Sequence, residues 1–122
     1  MNFGNVAIGA SAGTVVLSPA AVRTPTTATL PATTGTVSAA VFTVTGTTGF
    51  TYSISLPTTD HTITDGTNNM IVNSFVSTPS GTGTLTGGTE TLSVGATLNI
   101  SGSQPAGTYI SGTPFTVTVN YN

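Results

Sequence analysis

The chain has 122 residues, of which only Arg23, Asp60, Asp65 and Glu90 carry charge, and it contains no lysine and no cysteine. At 3% charged residues and net charge −2, it has no basic surface with which to neutralise a nucleic-acid backbone. The missing cysteines exclude a disulfide scaffold, a thiol nucleophile and a zinc–thiolate site, and 37% hydrophobic content is not the composition of a disordered chain.

Threonine and serine, 29 and 12 residues, make up a third of the sequence beside 15 glycines. Taken in chain order, Val15-Val16-Leu17 reads as a short strand, bounded by Gly13 and Pro19. Segment 24–37 (TPTTATLPATTGTV) is an extended edge or long connection, since Pro25 and Pro31 donate no ladder hydrogen bonds. Ala40–Val44 is a strand ending at Gly46, and Phe50–Leu56 alternates apolar and polar without a fault. Thr62-Ile63-Thr64 leads into Asp65-Gly66, a tight-turn pair because both residues tolerate positive φ. Met70–Val76 is apolar on both faces, which predicts a place between two layers or under a loop. Leu85-Thr86-Gly87-Gly88-Thr89 reads as a second hairpin with a Gly-Gly turn. Leu92, Val94, Ala96, Leu98 and Ile100 share one parity. Gln104–Gly107 is a turn before Thr108-Tyr109-Ile110, and Phe115–Tyr121 is a final alternating strand. No stretch has a helical period. Eight or nine short strands with closely spaced turn signals predict a single all-β domain over 1–122, an antiparallel immunoglobulin-like β-sandwich.

Few residues could carry chemistry. His61 is the only histidine and stands beside Asp60. No Gly-x-Ser-x-Gly elbow accompanies it, so it reads as a solvated loop histidine and the chain as a non-enzyme. Asp60, Asp65, Asn68 and Asn69 lack the spacing and distal glutamate of a calcium loop. Turn formation accounts for them, and no cofactor is implied. Gly81-Thr82-Gly83 and Gly87-Gly88 lack the lysine and following helix of a phosphate loop. Asn99-Ile100-Ser101 fits a glycosylation sequon. No apolar run is long enough to span a bilayer. Met1-Asn2-Phe3-Gly4 has neither the basic nor the apolar region of a leader. A Thr/Ser/Gly surface without lysine favours a secreted, mature or trimmed product.

Sheet edges are ordinarily guarded by lysine, inward charges or bulges. This chain has almost no charge for that purpose, and a strand such as Phe115–Tyr121 would template pairing with another chain. The end Phe115-Thr116-Val117-Thr118-Val119-Asn120-Tyr121-Asn122, the preceding Pro105-Ala106-Gly107-Thr108-Tyr109 and the start Met1-Asn2-Phe3-Gly4-Asn5-Val6-Ala7-Ile8-Gly9 together resemble the DUF4402 family of bacterial secreted domains. That family is similar to spore coat U-type and chaperone–usher pilin domains. The resemblance covers nearly the whole chain.

It implies a pilin-like sandwich on the bacterial surface, a subunit of a homopolymeric filament or pilus completed by a strand from a neighbour. A secretion chaperone or outer-membrane assembly factor would be a further partner. Phe115, Val117, Val119 and Tyr121 would then line the acceptor groove. Family members carry one more alternating strand ahead of the Asn-Phe-Gly segment. For a chain that starts at Met1 the resemblance implies either a sandwich lacking its first strand or residues 1–8, with Phe3, Val6 and Ile8, as an exchanged or edge strand; where that strand precedes Met1, the donor is elsewhere. The competing reading is a surface adhesin or matrix module that binds carbohydrate, with ice-binding and viral coat proteins further behind. A carbohydrate module needs an aromatic platform or a polar pocket, whereas tryptophan is absent and Tyr52, Tyr109 and Tyr121 lie on parities that predict burial.

Overall fold

The computed structural model describes residues 1–122. Valine, threonine and isoleucine suit a pleated, half-buried surface, and the chain folds as β-structure with one single-turn 3₁₀ segment at Thr86–Gly88. The strands are β1 (Asn2–Phe3), β2 (Gly13–Leu17), β3 (Arg23–Thr26), β4 (Val37–Ser38), β5 (Ala40–Thr45), β6 (Thr51–Ser55), β7 (His61–Thr64), β8 (Asn69–Thr78), β9 (Thr82–Thr84), β10 (Thr89–Ile100) and β11 (Thr118–Tyr121). All strand pairings are antiparallel. No helix is long and apolar enough to cross a membrane.

β10 organises the larger sheet, whose order is β3-β2-β10-β8-β7. One edge of β10 carries two strands end to end: β5 pairs with Thr89–Val94 and β2 with Ala96–Ile100. β8 occupies its other edge. The smaller sheet has the order β11-β6-β9, and β1 and β4 form a separate ribbon. The two sheets share one core as a β-sandwich. Tyr52 from β6 and Leu85 meet Leu92 and Val94 of β10 there, all four fully buried.

Three local features differ from the sequence reading. The apolar residues on both faces of 70–76 reflect a bulge, not burial between layers. Gly95 opposes Val76 while Thr97 opposes Asn73, so β8 holds one extra residue, and Ser74 takes φ +51°. The extra residue flips the parity: Met70 and Val72 face the core before it, Phe75 and Ser77 after it. Residues 85–89 are not a hairpin, because β9 pairs with β6 while β10 pairs with β5 and β8. Gly87 and Gly88, at φ +69° and +81°, turn the chain from one sheet to the other. The last strand begins only at Thr118; Phe115–Val117 follow Pro114 without pairing to any strand.

The Asp65-Gly66 turn forms as expected and closes the β7–β8 hairpin at Thr64 opposite Asn69. Segment 24–37 divides into the edge strand β3, with Pro25 opposite Val15, and an extended connection to β4. At Gly95 the Leu17–Ser18 backbone presses so close that a β-carbon would lie 2.0 Å from the Leu17 carbonyl oxygen.

Candidate functional site

A cleft of about 590 Å³ opens between the two ends of the chain. Its floor is the inner face of the large sheet: Ile63 from β7, Met70 and Val72 from β8, Leu98 and Ile100 from β10. One wall is the N-terminal segment, through Met1, Phe3, Val6 and Ile8. The other is segment 107–115, through Tyr109, Ile110 and Phe115. The alternation of β7, β8 and β10 makes the floor apolar by turning Ile63, Met70, Val72, Leu98 and Ile100 inward, with His61 at its margin.

The N-terminal wall hangs on its own chain. Phe3 pairs with Val37, the Asn5 amide donates to Thr34 O (2.7 Å), and the Ala7 amide donates to Thr29 O (2.8 Å). Arg23 completes the attachment: its Nη1 donates to Phe3 O at 3.1 Å and to Asn5 O at 2.6 Å. The only basic side chain of the protein thus clamps this wall.

The opposite wall is held by polar side chains. Thr64 and Ile110 exchange backbone hydrogen bonds of 2.8 and 2.9 Å. The buried Gln104 donates from Nε2 to Asn69 O (3.1 Å) and to the Tyr109 hydroxyl (3.0 Å), which itself donates to Pro105 O (2.7 Å). His61 Nε2 lies 2.6 Å from Ser111 Oγ. The Ser111 hydroxyl also contacts Thr113 O, so His61, Ser111 and the 111–113 backbone form one polar cluster at the end of the wall. The Asp60 carboxylate accepts from Asn73 Nδ2 at 3.0 Å, and the imidazole's hydrogen-bond partner is Ser111. Phe115 packs between the His61 ring (centroids 6.2 Å apart, edge-on) and Phe75 (5.0 Å).

The edge beside this wall is open. β11 is hydrogen-bonded only on its β6 side. None of the backbone hydrogen bonds made outside strands involves Phe115, Thr116 or Val117. Charge elsewhere serves structure. Burial and then the Glu90 carboxylate, 2.8 Å from its hydroxyl, push the Tyr52 pKa up to about 12. Asp65 is held below the usual carboxylate range by the Asn68 amide, the Asn68 side chain and the Thr67 amide.

A family model described as a domain of unknown function, DUF4402, matches residues 1–121. The chain belongs to the DUF4402 family. No curated protein and no solved structure matches it.

In this DUF4402 domain, Phe3, Val6 and Ile8 are half-buried, pack against their own core and line the cleft. Phe115 faces them from the other wall. Val117 and Val119 are half-buried against the core but lie outside the cleft lining. Tyr121 is 58% exposed, not buried as its parity predicts, and its hydroxyl donates to Thr45 O at 2.6 Å. His61 sits at the start of β7, half-buried, rather than in a solvated loop. Sequence reasoning missed the floor residues Ile63, Met70 and Val72 as part of a site, although the alternation of 61–64 was the available signal. It also missed Arg23 as a clamp, for which no local pattern exists: its two acceptors lie 18 and 20 residues away.

Proposed function

We propose that the domain is a structural subunit of an extracellular bacterial filament, and that the cleft accepts an extended, alternately apolar strand from a neighbouring copy of the chain. The observation that carries this reading is the combination of an apolar floor with an unpaired backbone run on the rim, Phe115–Val117. An extended segment needs both: backbone partners on one side and pockets for alternate side chains beneath. Phe3, Val6 and Ile8 on one side and Phe115 on the other are the contact residues, with Val117, Val119 and Tyr121 continuing the acceptor edge along β11.

The energetics favour occupation. Burying about four large apolar side chains of a donor strand contributes roughly 1.5–3 kcal/mol each. The sum, about 6–12 kcal/mol, is comparable with the whole net stability of a domain, and is an upper figure because free chains already hide part of that surface. The absence of cysteine and the neutral Thr/Ser surface fit a secreted polymer stabilised by packing alone. A secretion chaperone that occupies the cleft before assembly, together with an outer-membrane assembly factor, belongs to the same reading.

Negative-stain microscopy of the purified protein under non-denaturing conditions tests it. Fibres one subunit wide are expected. Monodisperse monomers that persist at high concentration and after long incubation would refute strand complementation.

A further inference from the structure

A second hollow, of about 470 Å³, lies at the end of the large sheet where β10 stops and β2 and β8 begin. Its size falls within the roughly 300–1,000 Å³ of small-molecule sites. Consecutive residues of three strands line it, 12–14, 69–71 and 99–101, and Thr26 and Thr27 flank it at the end of β3. It shares Met70 and Ile100 with the cleft but takes no residue from either cleft wall.

Asn99 lies between Thr14 of β2 and Ile71 of β8, and a relay of hydrogen bonds fixes how its amide is turned. The Asp60 carboxylate only accepts, so Asn73 directs Nδ2 to it at 3.0 Å and leaves Oδ1 for Asn99. Asn99 must then donate. Its Nδ2 reaches Asn73 Oδ1 at 2.9 Å and Ile71 O at 3.3 Å. The other end of the amide, Oδ1, receives no hydrogen bond from the protein, and since every buried side-chain polar atom has a partner, this oxygen is open to solvent. Thr27 supplies a second, independent observation. Its φ is +62°, and among the non-glycine residues with positive φ it alone is β-branched. That conformation is strained for such a residue, and strain of this kind clusters where ligands are held.

The chemistry of the lining selects the ligand. No charged side chain is part of it, and the Asp60 carboxylate is separated from it by two amides, so an ion finds no counter-charge. The hydroxyls of Thr14, Thr27 and Ser101 join the Asn99 acceptor, and Ile71 and Ile100 add hydrocarbon. A hydroxyl both donates and accepts; several of them on a C–H frame match this mixture. A peptide does not, because β2, β8 and β10 each have a neighbour on both sides and offer no free backbone edge. We propose that the hollow binds a neutral sugar, with Asn99 Oδ1 accepting from a ring hydroxyl and Thr27 closing the rim. The site does not depend on strand complementation.

Saturation-transfer difference NMR reads the sugar's own signals and works for monomer and fibre alike. Glucose, galactose, mannose and N-acetylglucosamine are the probes, added one at a time. Saturable transfer is expected for at least one of them. Asn99→Ala removes the acceptor and should weaken that binding several-fold. Thr27→Gly should weaken it as well while melting no lower than the parent, because glycine adopts positive φ freely; this variant decides the matter if Asn99→Ala disturbs β10. Thr86→Ala, an exposed position of the 3₁₀ turn outside the hollow, should bind as the parent does. Tighter binding of the matching oligosaccharide assigns the sugar to a glycan chain, and equal binding assigns it to a free ring. No transfer from any of the probes, transfer that survives Thr27→Gly or a folded Asn99→Ala chain, or an equal loss in Thr86→Ala overturns the proposal.

Discussion

Replacing Arg23 with methionine tests the clamp on the N-terminal wall. Methionine keeps most of the side-chain length and apolar contact but loses both hydrogen bonds from Nη1, to Phe3 O and Asn5 O. Bonds to a charged donor contribute about 1.5–3 kcal/mol each. The Asn5 contact is exposed, so the low end applies, and about 2–3 kcal/mol is expected in total. In a chain of this size each kcal/mol moves the melting temperature by roughly 4 °C, giving a fall of about 8–12 °C. Thermal unfolding by circular dichroism measures that shift. Hydrogen exchange locates it: the amides of Asn5 and Ala7, which bond Thr34 and Thr29, should exchange faster while those of β10 keep their order. Lysine, a point donor without the planar fork, should restore only part of the loss. An Arg23→Met chain that melts within about 2 °C of the parent, with unchanged exchange at Asn5 and Ala7, would refute the clamp.

The other charged and tightly packed positions make their own tests. Tyr52 is neutral, with its pKa raised to about 12 against about 10 in an unfolded chain. Its stabilisation is complete below pH 10 and is lost as pH rises through about 12; alkaline unfolding of Tyr52→Phe should lack this component. Asp65 has the opposite sign. Its depressed pKa stabilises the fold above the ordinary carboxylate range, and that contribution disappears as pH falls through the folded value, so Asp65→Ala should flatten the acid limb of a pH titration of stability. Gly95→Ala places a β-carbon 2.0 Å from Leu17 O and should cost about 3 kcal/mol or more in urea unfolding. Gly112→Ala, with nothing within 4 Å, should leave the midpoint where it is.

The parts of the fold legible in the sequence are those governed by alternation and turn chemistry. β6 and β10 fall where period-two runs place them, β2 and β5 where short apolar runs end at Pro19 and Gly46, and Asp65-Gly66 turns as its residues require. The bulge at Ser74 is not legible, because a parity switch in one strand is fixed by what the neighbouring strand presents. Gly87-Gly88 reads as a hairpin and is not one, because positive φ permits a change of direction without saying which strand the chain will next pair with. The truncation of the last strand to Thr118–Tyr121 has the same origin: alternation at Phe115 and Val117 describes which way side chains point, not whether a backbone partner exists. Of the cleft, the two walls are readable from the ends of the chain, and the floor only in part.

Arg23-Thr24 is the sole peptide bond a trypsin-like protease could recognise, since the chain has no lysine. It lies within β3, paired to β2, with its guanidinium already occupied by two carbonyls. A protease must therefore unzip an edge strand and free the side chain before it can cut, and cleavage should track local opening at β3 rather than the enzyme's abundance. A chain with no lysine and its one arginine engaged internally thus resists trypsin-like cleavage without any covalent cross-link.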